Sequence, residues 1–511
     1  VVEGVNYILV LVAVLAVLNG VAALCFLLYG INAFWLTAMR HAQRSRLPLG
    51  APYVQKDLSK VFAGMVETQD LPLVTVQLPI FNELYVARRL VESVCALDYP
   101  RDRLQVQVLD DSTDETQEIL QQVVAEYHAR GYWIDYVHRT HRVGFKAGAL
   151  QAAMPLVRGN YIAIFDADFV PGSDWLKLAM GHFLSHPQGR IAVVQTRWGH
   201  LNAEYSLLTQ LQSINLDGHF VVEQQSRYQN GYLLNFNGTA GIWYKPAIED
   251  SGGWHADTLA EDIDLSYRAQ LRGWQIVFDP TIVAPAELPV AIAAFKLQQF
   301  RWAKGGMQCA KKLLGTVWQS PLPWMGKWQA TVHLTSYALH PLMLVLVLTS
   351  VPLMFLAKPH SVGVSLVEHL WGWIMLPATF GPPLLYVTGQ RDLYPNQWRQ
   401  RAPWVLLLVL LGMGISWSNT RAVLEGLLGT GANFRRTPKF AIRHRGDRWQ
   451  HKQYRIPPDA GAIVELGLCL YSCGAIALCV VKGFYVTLPF MALYAISYGY
   501  VGGLTLWQSR S

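Results

Sequence analysis

Two patterns that would settle a nucleotide-binding chain at once are missing. No Gly-x-Gly-x-x-Gly follows the first candidate strand, and no Gly-x-x-x-x-Gly-Lys-Ser/Thr loop occurs. A dinucleotide-binding Rossmann domain and a P-loop are therefore both unsupported. Cysteine is scarce: six in 511 residues, at 25, 95, 309, 469, 473 and 479. They form no close ligand set and no disulfide framework, and four lie in apolar sequence, so all six read as reduced packing residues. The net charge of +7 has its clearest cluster between Arg435 and Arg455, flanked by hydrophobic stretches. That arrangement fits a basic juxtamembrane surface rather than a nucleic-acid partner. Charge is absent altogether from Asn6 to Thr37, far beyond the ~20 apolar residues that span a bilayer. The run is too long for a signal-peptide core and has no small-residue cleavage site, so it reads as a retained, tilted anchor. Glu3 precedes it and Arg40, His41, Arg44 and Arg46 follow, which places its C-terminal end in the cytoplasm.

What is present centres on Asp166-Ala167-Asp168. Tyr161 to Phe165 before it is a short hydrophobic run of the kind that forms a buried parallel strand. Two carboxylates leaving such a strand sit at the carboxyl edge, where open α/β sheets bind ligands. Spaced i, i+2, they can share a hard divalent cation that also binds phosphate oxygens; the plainer reading is an ordinary turn after a strand. Further strands are predicted at Val74–Ile80, Leu104–Leu109, Trp133–Val137 and Ile191–Gln195, alternating with short helices. Ser112 or Thr113 is placed to cap the helix after the second strand. The pattern predicts an α/β domain with a mostly parallel sheet. Its strand ends carry acid, Asp110 and Asp111 and then Asp166 and Asp168, suited to a nucleotide held by base, ribose and metal-bound phosphates. Lys146, just before a helical segment, could balance phosphate charge or be a plain surface lysine.

Two later clusters add chemistry. Thr258 with Glu261 three residues on fits a capping box, which leaves Asp262 spare in the first turn of a helix. A carboxylate there is favoured in its charged form, as a general base requires. Asp264 is either a supporting acid or a surface residue. Gln298, Arg301 and Trp302 share one face of a helical stretch; an indole offers a platform for a sugar face, and Arg or Gln can bind hydroxyls or diphosphate. The alternative is an amphipathic interfacial helix with a Trp anchor.

Taken together, Asp110-Asp111-Ser112, Lys146 to Leu150, Phe165 to Asp168, Asn237 to Gly241, Glu261 to Leu265 and Gln298-x-x-Arg301-Trp302 occur in the order seen in inverting glycosyltransferases of family 2. The sequence resembles the membrane-embedded, cellulose-synthase-like enzymes, most closely the mannan and glucomannan synthase-like branch. Gln107 to Thr113, Ile164 to Phe169, Phe236 to Gly241 and Glu287-Leu288-Pro289 match that branch almost letter for letter. The resemblance implies a GT-A-type domain inserted between transmembrane helices. It gives Asp110 or Asp111, with Lys146 and Asp166, to the nucleotide sugar, and Asp168 with Asp166 to Mg²⁺ or Mn²⁺. Asp262 becomes the base, with Glu261 and Arg301 beside it, and Gln298, Trp302 and Arg301 form the acceptor edge. Phe434 to Lys439, including Thr437, resembles the mobile gating loop of cellulose synthases, more loosely.

The expected organisation is an N-terminal transmembrane helix (1–46), a cytoplasmic catalytic domain (47–320), transmembrane helices with a re-entrant segment (321–424), a basic gating-like loop (425–460) and C-terminal transmembrane helices (461–511). Apolar blocks fall at 329–356, 366–388, 402–418, 461–482 and 484–507. A full span at 402–418 would put the basic loop outside, against the positive-inside rule, so that block is expected to be re-entrant or interfacial. The expected protein is thus an integral membrane enzyme of an inner, plasma or Golgi-type membrane, with its catalytic domain in the cytoplasm. It would move hexose from GDP-mannose or UDP-glucose onto a growing β-linked glycan, processively; the alternative is a single sugar placed on a lipid acceptor. Its expected partners are a nucleotide sugar, a glycan or glycolipid acceptor and membrane lipids.

Overall fold

The computed structural model describes residues 2–44, 71–186, 189–356, 362–429, 435–457 and 460–510. Seven strands form one sheet in the order β3-β2-β1-β4-β6-β5-β7. They are β1 (Val74–Ile80), β2 (Leu104–Asp110), β3 (Trp133–His138), β4 (Tyr161–Ile164), β5 (Ile191–His200), β6 (Gly241–Tyr244) and β7 (Gln275–Ala286). The four strands β3, β2, β1 and β4 are parallel neighbours, as are β5 and β7. β6 runs antiparallel to both β4 and β5. The sheet is therefore mostly parallel, as expected, and made mixed by one strand. The strand that mixes it is four residues long and follows a Gly-rich loop, so neither alternation nor length announces it.

Both faces are covered, which is why the strands read as continuous apolar runs. Val76, Leu78, Ala163 and Phe165 pack into one core with Leu90 and Val94 of the helix Ala87–Cys95. Ile162, Ile164 and Trp243 point to the opposite face and meet Leu150 and Leu265, as the period-2 alternation of a strand demands. Polar side chains inside the sheet are paired across parallel neighbours: Thr75 donates to Gln105 at 2.8 Å and Gln77 to Gln107 at 3.0 Å. Unpaired, each would cost about 1–3 kcal/mol.

Among the described residues, three helices are long and apolar enough to cross a membrane: Val10–Gln43, Ser336–Leu356 and Gly461–Lys482. Blocks 366–388 and 484–507 lie within the helices Val362–Leu393 and, for most of its length, Leu488–Arg510. The 402–418 block contributes to two helices, Trp398–Gly414 and Ser416–Leu428, which meet at 49°, as a broken span or a re-entrant loop does. The N-terminal helix crosses Val362–Leu393 at Gly30, where a Cβ would stand 2.5 Å from the Pro377 carbonyl. Only glycine lets the two backbones approach that closely. The 28-residue helix Ile292–Gln319 follows the last strand and leads to the later helices.

Candidate active site

The site gathers at the carboxyl edge of β1, β2 and β4. Asp111 follows β2 and lines the cavity; its two oxygens accept from Arg139 at 2.7 and 2.5 Å. Asp110 does not line it. Its carboxylate is fully buried, accepting from the Tyr136 hydroxyl at 2.7 Å and the Ser112 N–H at 2.9 Å. Sequence spacing left either acid eligible, and the strand pleat turns only the second outward. No Ser or Thr side chain caps the next helix; Asp114 accepts from the Thr116 N–H instead. Arg142 lies 3.5 Å over the Phe81 ring, where burial lowers its pKa to about 10.

Antiparallel β6 decides the other side. Its pairing with β4 brings Asn237 to Ala240 against Asp166, whose N–H donates to Thr239 at 2.9 Å. Lys146 then bridges two segments, donating to Asp166 Oδ1 at 2.5 Å and to the Gly238 carbonyl at 2.7 Å. Gly238 has φ +79°, and a Cβ there would stand 3.1 Å from an oxygen of Asp262. Asp168 accepts from Lys439 at 2.6 Å, and Lys439 also donates to the Glu287 carbonyl. Asp166 and Asp168 thus offer hard oxygen donors on one cavity wall, each already facing an ammonium. That donor chemistry and that preference for positive charge fit a divalent cation.

Glu261 and Asp262 open the helix Glu261–Leu271. The capping box expected of Thr258 and Glu261 is absent: the N-cap is Ala260, without a side-chain cap, and Thr258 meets Cys309 instead. Burial, then repulsion from Glu261, raises the Asp262 carboxyl to about 7. Glu261 is raised by burial as well, against the pull of Lys146 3.9 Å away. This helix is fastened to Ile292–Gln319. Lys312 lies 2.8 Å from buried Asp264 and 2.8 Å from Asp257, and Arg268 donates to Asp264 at 2.9 Å. At Gly305 of the longer helix a Cβ would press within 2.9 Å of Ala260.

Gln298, Arg301 and Trp302 all line the cavity. Trp302 stands 6.4 Å from Trp198. Arg301 donates to Thr437 at 2.9 Å; burial lowers its pKa while Asp166 and Glu261 work to raise it. Phe434 lies outside the described residues. From 435 onward the basic segment straps over the site, with Arg436 2.9 Å from Glu83 and Tyr454 donating to Asp114. Sequence reasoning assigned no role to Glu83, Arg139, Arg142, Arg436 or Glu287. Burial drives the Glu83 carboxyl up to about 8. Glu287, within Glu287-Leu288-Pro289, and Arg436, within the gating-like Phe434 to Lys439, lay in segments that carried a signal, but neither was given a role.

Comparison with known proteins follows the same outline. Residues 72–305 match the family model described as glycosyltransferase like family 2. The chain is 34% identical over 455 residues to probable glucomannan 4-beta-mannosyltransferase 9 of Oryza sativa subsp. japonica, covering 84% of this chain and 82% of that one. The chain belongs to glycosyltransferase family 2. This glycosyltransferase is also 41% identical over 247 residues to probable glucomannan 4-beta-mannosyltransferase 10 of Arabidopsis thaliana, covering 48% of its own length and 44% of the relative's. A solved mannosyltransferase, PcManGT from Pyrobaculum calidifontis in complex with GDP-Man and Mn2+, aligns at TM-score 0.44 and 20% identity over 72% of this chain and 99% of that one. The glycosyltransferase is an inverting enzyme that takes its sugar from a nucleotide donor.

Proposed function

We propose that the protein is a processive, metal-dependent hexosyltransferase that lengthens a β-linked polysaccharide from GDP-mannose or UDP-glucose and feeds the product into its membrane helices. The observation that carries this reading is a cavity of about 790 Å³ whose lining includes both the site and the membrane region. It takes in Asp111, Asp168, Asp262 and Trp302 at one end and Tyr29, Ser350 and Thr487 at the other. A lone transfer to a small acceptor would not call for that extent. The similarity to plant mannosyltransferases favours GDP-mannose as donor.

In this reading Asp111 and Lys146 hold the nucleotide sugar, and Asp166 with Asp168 hold the cation. That cation, Mg²⁺ or Mn²⁺, acts when bound as a Lewis acid for the departing diphosphate. Asp262 takes the acceptor's hydroxyl proton as the oxygen attacks the anomeric carbon from the side opposite the diphosphate. Trp302 and Gln298 hold the acceptor sugar in line, which lowers the barrier through orientation. Arg301 faces the carboxylate cluster and the gating-like residues Thr437 and Lys439 close over it. The catalytic domain is placed in the cytoplasm, within the bounds 47–320, and the remaining residues form the membrane segments and basic loop.

The test is a donor panel on the full chain in detergent or vesicles: GDP-mannose, UDP-glucose, UDP-N-acetylglucosamine and UDP-galactose, each with Mg²⁺ or Mn²⁺. Polymer from GDP-mannose or UDP-glucose is the expected product. One sugar on a lipid, with no ladder at any donor concentration, would overturn processivity and leave the enzyme a lipid glycosyltransferase.

A further inference from the structure

A helical segment that no motif singled out crosses the middle of this cavity. The helix Leu207–Gly218 passes into a π-helical turn, His219–Gln224. Such widened turns cluster at functional sites because they re-aim side chains at a cost in backbone geometry. Here the turn aims His219 and Glu223 into the cavity. His219 Nδ1 lies 2.9 Å from Glu223 Oε2, and His219 Nε2 lies 3.1 Å from Asn237 Oδ1. Asn237 directly precedes Gly238, the residue packed against Asp262. The pair is therefore one loop away from the base.

It also borders the acceptor platform. Phe220, next in sequence, has its ring 5.4 Å from Trp198, which in turn stands 6.4 Å from Trp302. Towards the membrane helices, Tyr386 donates to Asn215 one turn earlier at 3.0 Å. Although enclosed by helices, the Glu223 side chain keeps 36% of its surface open. Its Oε1 accepts no hydrogen bond from the described residues, while Oε2 is fixed by the histidine. A carboxylate anchored at one oxygen and open at the other, among aromatic rings, is the chemistry that binds the hydroxyls of a neutral sugar: charge-assisted hydrogen bonds on the edge, apolar contact on the face.

We propose that His219 and Glu223 form an acceptor subsite, on the membrane side of the transfer point, that grips hexose hydroxyls of the chain already made. This rests on the hexosyl-transfer reading above and adds the residues that retain the acceptor between additions. Glu223 accepts from the sugar, and His219 holds the carboxylate in place and ties it to the Asn237 loop.

The test compares wild type with Glu223→Gln and Glu223→Ala in the full chain, measuring donor KM, the KM for manno- or gluco-oligosaccharide acceptors, and product length. Losing a charged hydrogen bond to the acceptor is expected to raise acceptor KM about tenfold or more and to shorten the products. Donor KM is expected to change less than twofold, a split that a merely structural role would not produce. Unchanged acceptor KM and product length in both variants would overturn the subsite while the enzyme still elongates. A fall in kcat with a rise in donor KM but no change in acceptor KM would overturn it too, by moving the pair's role to the Asn237 loop. Failure of the underlying reading looks different: the wild type itself turns over no hexose donor, and the subsite falls with it.

Discussion

The Lys439 ammonium stands 2.6 Å from a carboxylate oxygen of Asp168, a residue proposed to hold the metal. The lysine arrives on the strap that also ties Thr437 to Arg301, so one segment touches both the Asp168 carboxylate and the Arg301 guanidinium. A divalent cation and this ammonium are rivals for the same oxygens. Lys439→Met is expected to bind Mn²⁺ about tenfold more tightly in the absence of nucleotide, since a competing positive charge is removed. Electron paramagnetic resonance of free Mn²⁺ reads this directly. Equal affinity in variant and wild type would mean that Asp168 is not the metal's carboxylate.

Asp262→Asn tests the base. Sugar transfer is expected to fall by about two to four orders of magnitude, with the protein still folded. The stability sign also follows. A carboxyl raised from 3.8 to about 7 in the folded state costs stability progressively as pH climbs through that window, and in full above it. The Asn variant should therefore melt at a higher temperature than wild type at pH 8, by on the order of a few degrees, and level with it near pH 4. A variant that melts lower at pH 8 would contradict the strained, buried acid.

The pH profile of kcat/KM gives a separate reading of the same group. A base that is half ionised near 7 predicts a rate that rises through neutrality and levels above it. Glu261 repulsion is one cause of the raised value, so Glu261→Gln should move the rising limb to lower pH. A limb that stays put would show that the carboxylate pair does not titrate as neighbours.

Asp264 anchors the helix that carries Asp262 to the helix that carries Trp302 through Lys312, and Arg268, one turn on along its own helix, meets the same carboxylate. Replacing it by Ala leaves two cations facing an empty, buried place, a loss of about 3–5 kcal/mol. Asp264→Asn keeps the volume and part of the hydrogen bonding, so it should fold and lose kcat more than donor affinity. Full activity in the Asn variant would show that the fastening is dispensable.

Much of this site was legible before any coordinates, and the reasons differ by residue. Asp166 and Asp168 could be read because a hydrophobic run ends on them, and Gln298 with Trp302 because helical spacing puts them on one face. The five strands found by pattern are those with buried apolar runs, and β6 escaped because four residues after a Gly-rich loop carry too little periodicity. β7 was missed although it has twelve residues: Asp279, Pro280 and Pro285 interrupt its pattern. Thr258 and Glu261 matched a capping box by type and spacing, but tertiary packing claimed Thr258 for Cys309. The pairings of Glu83, Arg139 and Arg436 were illegible for a deeper reason. Their roles are pairings with Arg436, Asp111 and Glu83 across long stretches of chain, and one sequence carries no signal of who meets whom.

The bend at Ile415 has one more consequence. The second arm of that bent pair presses Gly426 against the backbone at Lys304, where a Cβ would stand 2.8 Å from the Lys304 carbonyl. Lys304 and Glu425 close the contact at 3.0 Å. Lys304 lies two residues past Trp302, so the bent pair of helices is bolted to the indole proposed to hold the acceptor. Bilayer thickness tilts and strains membrane segments, and through this contact a tilt of the bent pair would be passed to Trp302. If the enzyme elongates a chain as proposed, elongation should then vary with acyl-chain length in reconstituted vesicles while nucleotide binding does not, which would make bilayer thickness a mechanical control on sugar transfer.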